Sequence, residues 1–335
     1  MKIAFIYYDF SSFVKQDYEI LSRHFTVEKA SYRTPRDIFK IARVIFDSDI
    51  TYSWFASGHS FIAVLISKML GKRSIVVAGG YDVAYEPEIN YGQYTLGRDK
   101  RLYTDYVLKN ADLILAVSKF TQEEVLSRTK PRMIKVIYNG IDTDKFVPGS
   151  GKEDLVMTVA SGTKNVIKLK GIDTFAKAAK HIPETRFLVL GLSDKDREYL
   201  AAKYPAPNLQ LRGYMSQRDL IKCYQKAHLY CQLSYRESFG VALAEAMACG
   251  CVPVVAEKAA LPEVAGDTGI YVPYDDEKAT AKAIIEALRS DKGLKARERV
   301  NNCFSVKKRE TQLLEAINMN QCAPFRPDND QAGLG

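Results

Sequence analysis

Short apolar segments with the composition of buried strands alternate with helical patterns along almost the whole of this 335-residue chain. Such alternation is typical of parallel sheets covered by helices, because a parallel strand returns to the same sheet through a crossover helix. The alternation pauses at the turn-rich residues 139–151 and then restarts. Since a domain has about 150 residues, the sequence predicts two doubly wound α/β domains. Ligands of such domains bind beyond the carboxyl ends of the strands, which indicates a central cleft.

This pause also sets the predicted domain boundaries. Residues 1–148 are predicted as the first domain, 152–304 as the second, 305–320 as a last helix that crosses back to the first domain, and 321–335 as a disordered tail. The predicted strands are 3–8, 27–31, 50–55, 73–78, 113–118 and 134–138, then 155–160, 186–190, 209–212, 229–233, 252–256 and 269–272. The predicted helices lie near 14–24, 36–46, 59–70, 98–110 and 120–129, then near 171–181, 195–203, 217–226, 240–249, 261–266, 277–289 and 305–318.

The net charge of +8 is divided evenly along the chain. Residues 1–150 carry 21 Lys and Arg against 17 Asp and Glu, and the rest carries 27 against 23, so each half has a net charge of +4. A nucleic-acid-binding protein concentrates its charge on one face or stripe, and no such concentration is visible along the sequence. We therefore predict no nucleic-acid partner. Mild basicity fits anionic small molecules or an anionic membrane surface.

Association with a membrane is expected to be peripheral at most. The uncharged residues 50–67 include several polar side chains, and their unbroken apolar core is far shorter than the ~20 residues of a spanning helix. Residues 36–46 place Ile38, Ile41, Ala42, Ile45 and Phe46 on one helical face and Arg36, Lys40 and Arg43 on another. Such a helix could lie on the inner face of an anionic membrane, or pack in the core with its basic face solvated. The six cysteines lack metal spacing, and reduced thiols in the cytoplasm are expected.

The most informative segment is 235–250, with the sequence YRESFGVALAEAMACG. It follows the predicted strand 229–233 and opens a helix that Gly250 closes as a C-terminal glycine. Ser238 is suited to cap the helix, and Gly240 leaves the backbone open to close approach. The free N–H groups of the first turn and the positive end of the helix dipole predict an anion site suited to phosphate.

Two glutamates bracket this anion site. Glu237 precedes it, and Glu245 lies about a turn and a half into the helix, within the otherwise uncharged residues 238–249. A carboxylate beside a phosphate would repel the ligand unless it faced hydrogen-bond donors such as sugar and ribose hydroxyls. A helix that is apolar all round is buried, so Glu245 is expected to have a partner. The pattern indicates a ligand with a hydroxyl-rich group at each end of a phosphate, which is the order in a nucleotide sugar.

The spacing of Glu237 and Glu245 in ESFGVALAEAMACGCVPVV resembles the E-x7-E motif of retaining glycosyltransferases of family four, the glycosyltransferase group 1 set. Three further segments resemble that family in the same order: 136–142 (VIYNGID), 170–173 (KGID), and 261–264 (LPEV) followed by Gly269. The similarity covers most of residues 110–320 and is mainly architectural before them. It implies the GT-B fold, in which two Rossmann-like domains, acceptor-side first and nucleotide-sugar-binding second, face a central cleft.

The resemblance implies a role for each matching residue on the donor side. Glu237 and Lys170 are the implied catalytic residues, with Glu237 at the transferred sugar and Lys170 at the diphosphate. The implied donor-binding residues are Glu245 at the ribose, Ser238, Phe239 and Gly240 at the diphosphate, and Gly213 and Tyr214 at the base. The family usually pairs an arginine with the lysine, where this chain has Asn165, so Lys164 or Lys168 is expected to substitute.

The acceptor side departs more from the family pattern. Many members have a histidine where this chain has the segment Ala78-Gly79-Gly80, so Tyr81 and Asp82 are candidates for that role. His59 begins a helix on the cleft side, and Ser11 lies in a small polar loop where glycines are often found. These four residues are the acceptor-side candidates.

The resemblance also implies that no metal and no cofactor are required, because a lysine and a helix N-terminus can stabilise the leaving diphosphate. Two Asp-x-Asp triplets, 47–49 and 142–144, are interpreted as a helix end and a turn rather than a metal site. The predicted function is metal-independent retaining transfer of a hexose from a UDP- or GDP-linked sugar to a saccharide or glycolipid hydroxyl, in surface glycan biosynthesis. The alternatives are an inactive nucleotide-sugar-binding subunit or a nucleotide-sugar epimerase of the same fold. A nicotinamide enzyme would need a Gly-x-Gly-x-x-Gly turn, which neither domain start supplies.

Overall fold

Two parallel sheets of six strands each form the framework of the computed structural model, which describes residues 1–160 and 166–319. The first sheet contains β1 (Lys2–Tyr7), β2 (Thr26–Ser31), β3 (Ile50–Trp54), β4 (Arg73–Ala78), β5 (Leu113–Ala116) and β6 (Ile134–Val136). The second contains β7 (Glu153–Val159), β8 (Arg186–Leu190), β9 (Leu209–Leu211), β10 (Ala227–Gln232), β11 (Val252–Ala256) and β12 (Ile270–Val272). Each of these strands was predicted, with ends that differ by no more than two residues.

The helices follow the strands in the predicted alternation. They are α1 (Ser12–His24), α2 (Asp37–Phe46), α3 (Gly58–Met69), α4 (Arg98–Asn110), α5 (Lys119–Arg128), α6 (Val166–Leu169), α7 (Ile172–Ala179), α8 (Asp194–Lys203), α9 (Gln217–Lys226), α10 (Val241–Ala248), α11 (Leu261–Ala265), α12 (Glu277–Ala287), α13 (Gly293–Phe304) and α14 (Val306–Asn318). Helices α6 and α13 were not predicted. Helix α13 buries only Gly293, Ala296, Val300 and Phe304, a stripe too narrow to stand out in a polar sequence.

The order of the strands determines where ligands can bind. The first sheet has the order β2-β1-β3-β4-β5-β6 and the second β12-β11-β10-β7-β8-β9. Successive strands are therefore added in opposite directions from a point between β1 and β3 in the first sheet and between β7 and β10 in the second. Such switch points open a crevice at the carboxyl ends of the strands. These orders confirm the predicted doubly wound α/β class.

Helices cover both faces of each sheet, so the central strands are apolar throughout. All five residues of β3 and of β11 are buried. In the first lobe (β1–β6 with its helices), α1 packs on one face of the sheet, and α2, α3 and α4 pack on the other. No helix within residues 1–160 and 166–319 is long and apolar enough to cross a bilayer.

The last helix lies on the first lobe although it follows the second. Leu313, Ala316 and Ile317 of α14 belong to the same core cluster as β1 and α1. Helix α14 is also held by Arg309, whose Nε lies 2.6 Å from Asp17 Oδ1. The domain boundaries stay a prediction, and the predicted tail 321–335 lies outside the described residues.

Candidate active site

The two switch points meet at one cleft. Its walls include Trp54 at the end of β3 and Phe13 in α1 from the first lobe, and Val159 and Gln232 at the ends of β7 and β10 from the second lobe (β7–β12 with its helices). The floor is the continuous segment 237–242, which leads into α10. The cleft therefore lies where the strand order places ligand sites in open parallel sheets.

Glu237 is held rigidly at this floor. Its Oε1 accepts hydrogen bonds from Gln232 Nε2 at 2.9 Å and from Ser234 Oγ at 2.9 Å, and it pairs with Lys170 Nζ at 2.6 Å. The side chains of Glu237 and Lys170 are only 12% and 19% exposed. Tyr230 donates in turn to Gln232 Oε1 at 3.0 Å. A carboxylate and an ammonium group thus lie side by side in the cleft, with the carboxylate oriented by buried donors.

The helix N-terminus beside this pair is open because of a glycine. Gly240 is the N-cap of α10 and has a φ of +93°, a left-handed conformation that side chains rarely adopt. The prediction that Ser238 caps the helix is wrong, since the N-cap residue is Gly240 and Ser238 lies two residues before it. Ser238, Phe239 and Gly240 all line the cleft. The anion site of the first turn depends on backbone N–H groups.

Glu245 lies in a second cavity that adjoins the first. Tyr224 OH is 3.5 Å from Glu245 Oε2, and Lys145 and Gln217 line the same cavity. Burial raises the pKa of Glu245 to about 7, while the hydrogen bond from Tyr224 acts in the opposite direction. The carboxyl group is therefore about half ionised near neutral pH. A ligand that donates hydroxyl hydrogens to it would favour the ionised form.

The two cavities share a wall, so one elongated ligand can occupy both. Each contains about 820 Å³ of space, part of it open to solvent, and Phe13, Asn139 and Val241 line both of them. Asn139 is only 7% exposed, and its Oδ1 has no hydrogen-bond partner within residues 1–160 and 166–319. Because a buried polar atom ordinarily has a partner, Asn139 Oδ1 is suited to accept a hydrogen bond from such a ligand. The sequence reasoning did not single out Asn139.

The other donor-side candidates are placed more loosely. Lys168 is exposed on α6, and its carbonyl accepts a hydrogen bond from Tyr274. Gly213 and Tyr214 follow the edge strand β9, where Tyr214 is 70% exposed. Lys164 lies outside the described residues. Among the described part of the chain, the structure groups Lys170, Glu237 and the segment 238–240 at one cleft, with Glu245 next to it.

The acceptor-side candidates have different surroundings. Asp82 is fully buried and accepts from the N–H groups of Ala56 and Gly80, both at 2.7 Å, so it orders the loops after β3 and β4. The Nε2 and Nδ1 of His59 are engaged by the Trp54 carbonyl at 2.6 Å and Ser57 Oγ at 2.8 Å. Burial lowers the pKa of His59 to about 4, so the ring is neutral near pH 7. Tyr81 is 39% exposed, and Ser11 is the N-cap residue of α1.

The aspartate triplets have the predicted structural roles. Asp47 is the C-cap of α2, and Asp142 Oδ1 accepts from the N–H groups of Asp144 and Lys145 in a turn. Among the described residues, no group of three or more His, Cys, Asp or Glu side chains could hold a metal ion. Whether the reaction needs a metal or a cofactor stays a prediction.

Arg236, the residue before Glu237, joins the two lobes. Its Nη1 lies 2.9 Å from Glu86 Oε1, its Nη2 pairs with Glu124, and its guanidinium lies over the ring of Phe120 at 5.0 Å. These partners belong to the first lobe, and the Arg236 side chain is 2% exposed. The only hint of this role in the sequence was the position of Arg236, a positively charged residue directly before the E-x7-E motif. Its partners are more than 100 residues away, so spacing could not identify them.

We expect Arg236→Met to lower the free energy of unfolding by about 3 kcal/mol, because it leaves two partly buried carboxylates without their cation. Arg236→Lys, which keeps the charge without the planar fork, should recover part of the loss. The measurement is urea denaturation, with the exposed Arg218→Met as control. A loss in Arg236→Met no larger than in the control would show that this contact between the lobes does not persist in solution.

A polypeptide with two doubly wound sheets whose switch points meet at one cleft belongs to the GT-B class of folds. Solved glycosyltransferases of this class have the same architecture. One of them, Anabaena Alr3699/HepE in complex with UDP and glucose, matches with a TM-score of 0.76 over 95% of this chain and 99% of that chain. Their sequence identity is 16%, so this likeness shows the fold alone.

The chain belongs to glycosyltransferase family 4, the group 1 glycosyltransferases. The model of the family "Glycosyl transferases group 1" matches residues 141–303, and that of "Glycosyltransferase Family 4" matches residues 8–145. Together these matches include both lobes and the whole candidate site. The family resemblance of the E-x7-E segment is thereby confirmed.

Two relatives show how far the similarity to individual proteins extends. A D-inositol 3-phosphate glycosyltransferase of Mycobacterium sp. (strain KMS) is 30% identical over 189 residues, which is 51% of this chain and 43% of that protein. The N-acetyl-alpha-D-glucosaminyl L-malate synthase of Bacillus anthracis is 25% identical over 287 residues, 78% of this chain and 72% of that protein. The chain thus matches less than half the length of the mycobacterial relative.

Proposed function

We propose that this protein is a retaining hexosyltransferase that transfers a sugar from a nucleotide diphosphate to a hydroxyl group of a saccharide or glycolipid. The observation that carries the proposal is the Lys170–Glu237 pair, 2.6 Å apart at the mouth of α10. A cation and a helix N-terminus favour a diphosphate there, and the buried carboxylate favours sugar hydroxyls. Glu245, in the adjoining cavity, is suited to the ribose hydroxyls at the other end of the same donor.

In the proposed reaction, the bond between C1 of the sugar and the diphosphate oxygen breaks, and a bond forms between C1 and the acceptor oxygen. The acceptor proton passes to the departing diphosphate, on the same face of the sugar. Lys170 and the N–H groups of α10 stabilise the negative charge that develops on the diphosphate. Glu237 orients the sugar and stabilises the positive charge that develops near C1. None of these steps needs a metal or an added cofactor.

Retention and the nature of the acceptor belong to the same proposal. The name of the Bacillus anthracis relative specifies an alpha-D-glucosaminyl product, and retention would give such a product from an alpha-linked donor. The first-lobe side of the cleft presents the partly exposed rings of Phe13 and Tyr91, and aromatic rings are suitable surfaces for sugars. We place the acceptor among surface glycans or their lipid-linked precursors. A cytoplasmic location is proposed because the five described cysteines are free thiols.

A thermal-shift panel of UDP-, GDP- and ADP-linked hexoses tests the donor. A ligand that binds only the folded state raises the melting temperature, so one nucleotide class should give a clear shift. Incubation of that donor with glycan and lipid extracts should then transfer the sugar. Binding without transfer would favour an inactive subunit, and an epimerised sugar without an acceptor would favour an epimerase. The absence of a shift with every nucleotide sugar would reject the proposal.

Glu245→Gln should separate donor binding from stability. Only the ionised carboxylate accepts two hydroxyl hydrogens, so the wild-type affinity for the donor should fall about tenfold between pH 8 and pH 6, on either side of a pKa of about 7. The variant should bind weakly at both pH values and lose this dependence. Isothermal titration calorimetry with the nucleotide sugar chosen by the panel measures it.

The same substitution should stabilise the protein at alkaline pH when no nucleotide sugar is added. The pKa of Glu245 in the folded state is raised above its ordinary value of 4.5, so its contribution to stability is fully present below about 4.5 and is lost as the pH rises through 7. Glu245→Gln should therefore increase the free energy of unfolding by about 2 kcal/mol at pH 8 and by little at pH 5. The exposed Glu298→Gln is the control. Equal effects at both pH values would contradict a partly buried Glu245 whose pKa is raised to about 7.

A further inference from the structure

Helices α2, α3 and α4 form one layer on the outside of the first lobe. Their inward side chains, among them Ile41, Ile45, Val64 and Val107, pack in the core clusters on one face of the first sheet. Helices α1 and α14 cover the opposite face. The outward sides of α2, α3 and α4 therefore share one direction, and we call them the outer helical face.

Helix α2 presents large apolar side chains on this face. Phe39 is 80% exposed and Phe46 is 68% exposed, seven residues apart and so on the same side of the helix. The apolar face that the sequence offered for lipid contact is instead partly in the core, since Ile41 and Ile45 are fully buried. Ile41 and Ile45 thus form the core-facing side of α2. Phe39 and Phe46 form a second apolar side, which is exposed.

The neighbouring helices continue this exposed apolar surface. Met69 of α3 is 77% exposed, Leu65 is 37% exposed, and Leu102 of α4 is 68% exposed. Scattered single apolar residues are normal on a protein surface, but a group on one face marks a binding surface. Two aromatic rings and three long aliphatic chains on adjoining helices form such a group.

The positive charge of the first half of the chain is concentrated on the same three helices. They carry seven basic residues against three acidic ones, a net charge of +4, which equals the net charge of residues 1–150. The basic residues are Lys40, Arg43, Lys68, Arg98, Lys100, Arg101 and Lys109. Two of the acidic residues accept hydrogen bonds within the protein, Asp37 from the N–H of Thr34 and Asp105 from the Tyr94 hydroxyl, while Asp99 pairs with Lys100. The net charge is divided evenly between the two halves of the sequence, but in the first half it is carried by these three adjoining helices.

We propose that the outer helical face docks the protein on an anionic lipid bilayer. Apolar side chains among Lys and Arg on one helical layer are the pattern of an interfacial membrane contact, in which the rings enter the headgroup region and the cations face lipid phosphates. The charge argues for an anionic bilayer rather than for a neutral one. This docking does not depend on which reaction the cleft catalyses.

The orientation that follows suits a membrane-linked acceptor. Strand β2 ends at Ser31 on the cleft edge of the sheet, so α2 begins at that edge and runs away from it. Phe39 lies near the cleft end of α2, and Phe46 lies at its far end. A protein docked through the whole face would hold the opening of its cleft next to the bilayer.

Vesicle sedimentation with the full chain tests the proposal. The wild type should bind vesicles of phosphatidylglycerol and phosphatidylcholine in equal parts, and should bind pure phosphatidylcholine at least about tenfold less. Binding should fall in about 0.5 M NaCl, where charges are screened. A variant with Phe39→Ser and Met69→Ser should bind the anionic vesicles at least about tenfold more weakly than the wild type.

The matched control is Leu294→Ser, which removes a residue 74% exposed on the second lobe and should leave vesicle binding unchanged. Because Phe39 and Met69 are also exposed, the variants should keep the wild-type melting temperature. Wild-type protein that does not bind anionic vesicles overturns the proposal, as does equal loss in the control. A wild-type dimer that the two serines convert to monomers, without vesicle binding, would assign the face to a second copy instead. Docking is measured without nucleotide sugar, so its failure is distinct from failure of the proposed activity.

Discussion

Replacing Lys170 by Met should lower the rate of sugar transfer about 100- to 1000-fold, the cost of removing one preorganised group that stabilises developing charge. The Lys170 side chain is 19% exposed and its Nζ lies 2.6 Å from Glu237 Oε1, so its charge is partly shielded from water at the mouth of α10. The affinity for the donor should change far less than the rate, because the charge on the diphosphate grows as the sugar leaves. The measurement is nucleotide diphosphate release from the donor that binds best, with an acceptor extract present.

The matched control for Lys170→Met is Lys195→Met, which removes an exposed lysine from the start of α8 and should leave the rate unchanged. Lys170→Arg keeps the positive charge and should retain part of the activity. A rate for Lys170→Met within about fivefold of the wild type would remove Lys170 from the proposed mechanism. Wild-type protein that releases no nucleotide diphosphate would instead reject the activity as a whole.

The second large effect concerns stability and the buried pair of Asp17 and Arg309. Asp17 is fully buried and accepts hydrogen bonds from Tyr52 OH at 2.6 Å and Trp54 Nε1 at 2.9 Å, in addition to Arg309. Asp17→Ala would leave the Arg309 guanidinium buried without its counter-charge. We expect the free energy of unfolding to fall by about 3–5 kcal/mol, as when one partner of a buried ion pair is removed. Urea denaturation measures it.

An exposed ion pair between α14 and the turn at Asp144 provides the control. Lys307 and Asp144 are 3.5 Å apart, with side chains 82% and 80% exposed, so Asp144→Ala should cost less than about 1 kcal/mol. Combining Asp17→Ala with Arg309→Met should cost less than the sum of the two single changes, because the second change removes the uncompensated charge. A loss below about 1 kcal/mol for Asp17→Ala would mean that α14 does not depend on this pair for its attachment.

The arrangement of the strands was predictable because its causes are local. A strand buried on both faces reads as a short apolar run, and β3 and β11 are of this kind. A helix that covers a sheet has an apolar stripe with the period of the helix, and this period predicted the positions of α2 and α9. Helix α13 was missed because its buried stripe is one residue wide and most of its remaining positions are polar.

Part of the candidate site was predictable for a similar reason. Glu237, the open turn at Gly240 and the start of α10 are neighbours in sequence, so one segment describes most of the anion site. The position of Lys170 came from family resemblance, and its contact with Glu237 joins residues 67 apart. Gln232 and Ser234, which hold the Glu237 carboxylate, lie close in sequence but have no feature that distinguishes them from ordinary strand-end residues.

The sequence by itself therefore determined the doubly wound class, the strand and helix alternation, and the turn that leads from Glu237 into α10, since each depends on residues close together in the chain. Only the tertiary structure decided which residues join the lobes at Arg236, which atoms surround Glu245 and raise its pKa, and that α14 is attached through Asp17. It also decided that the net positive charge of residues 1–150 is carried by three adjoining helices, α2, α3 and α4. The reason is physical: burial, desolvation and charge pairing depend on the distance through space between groups that the chain separates by tens to hundreds of residues.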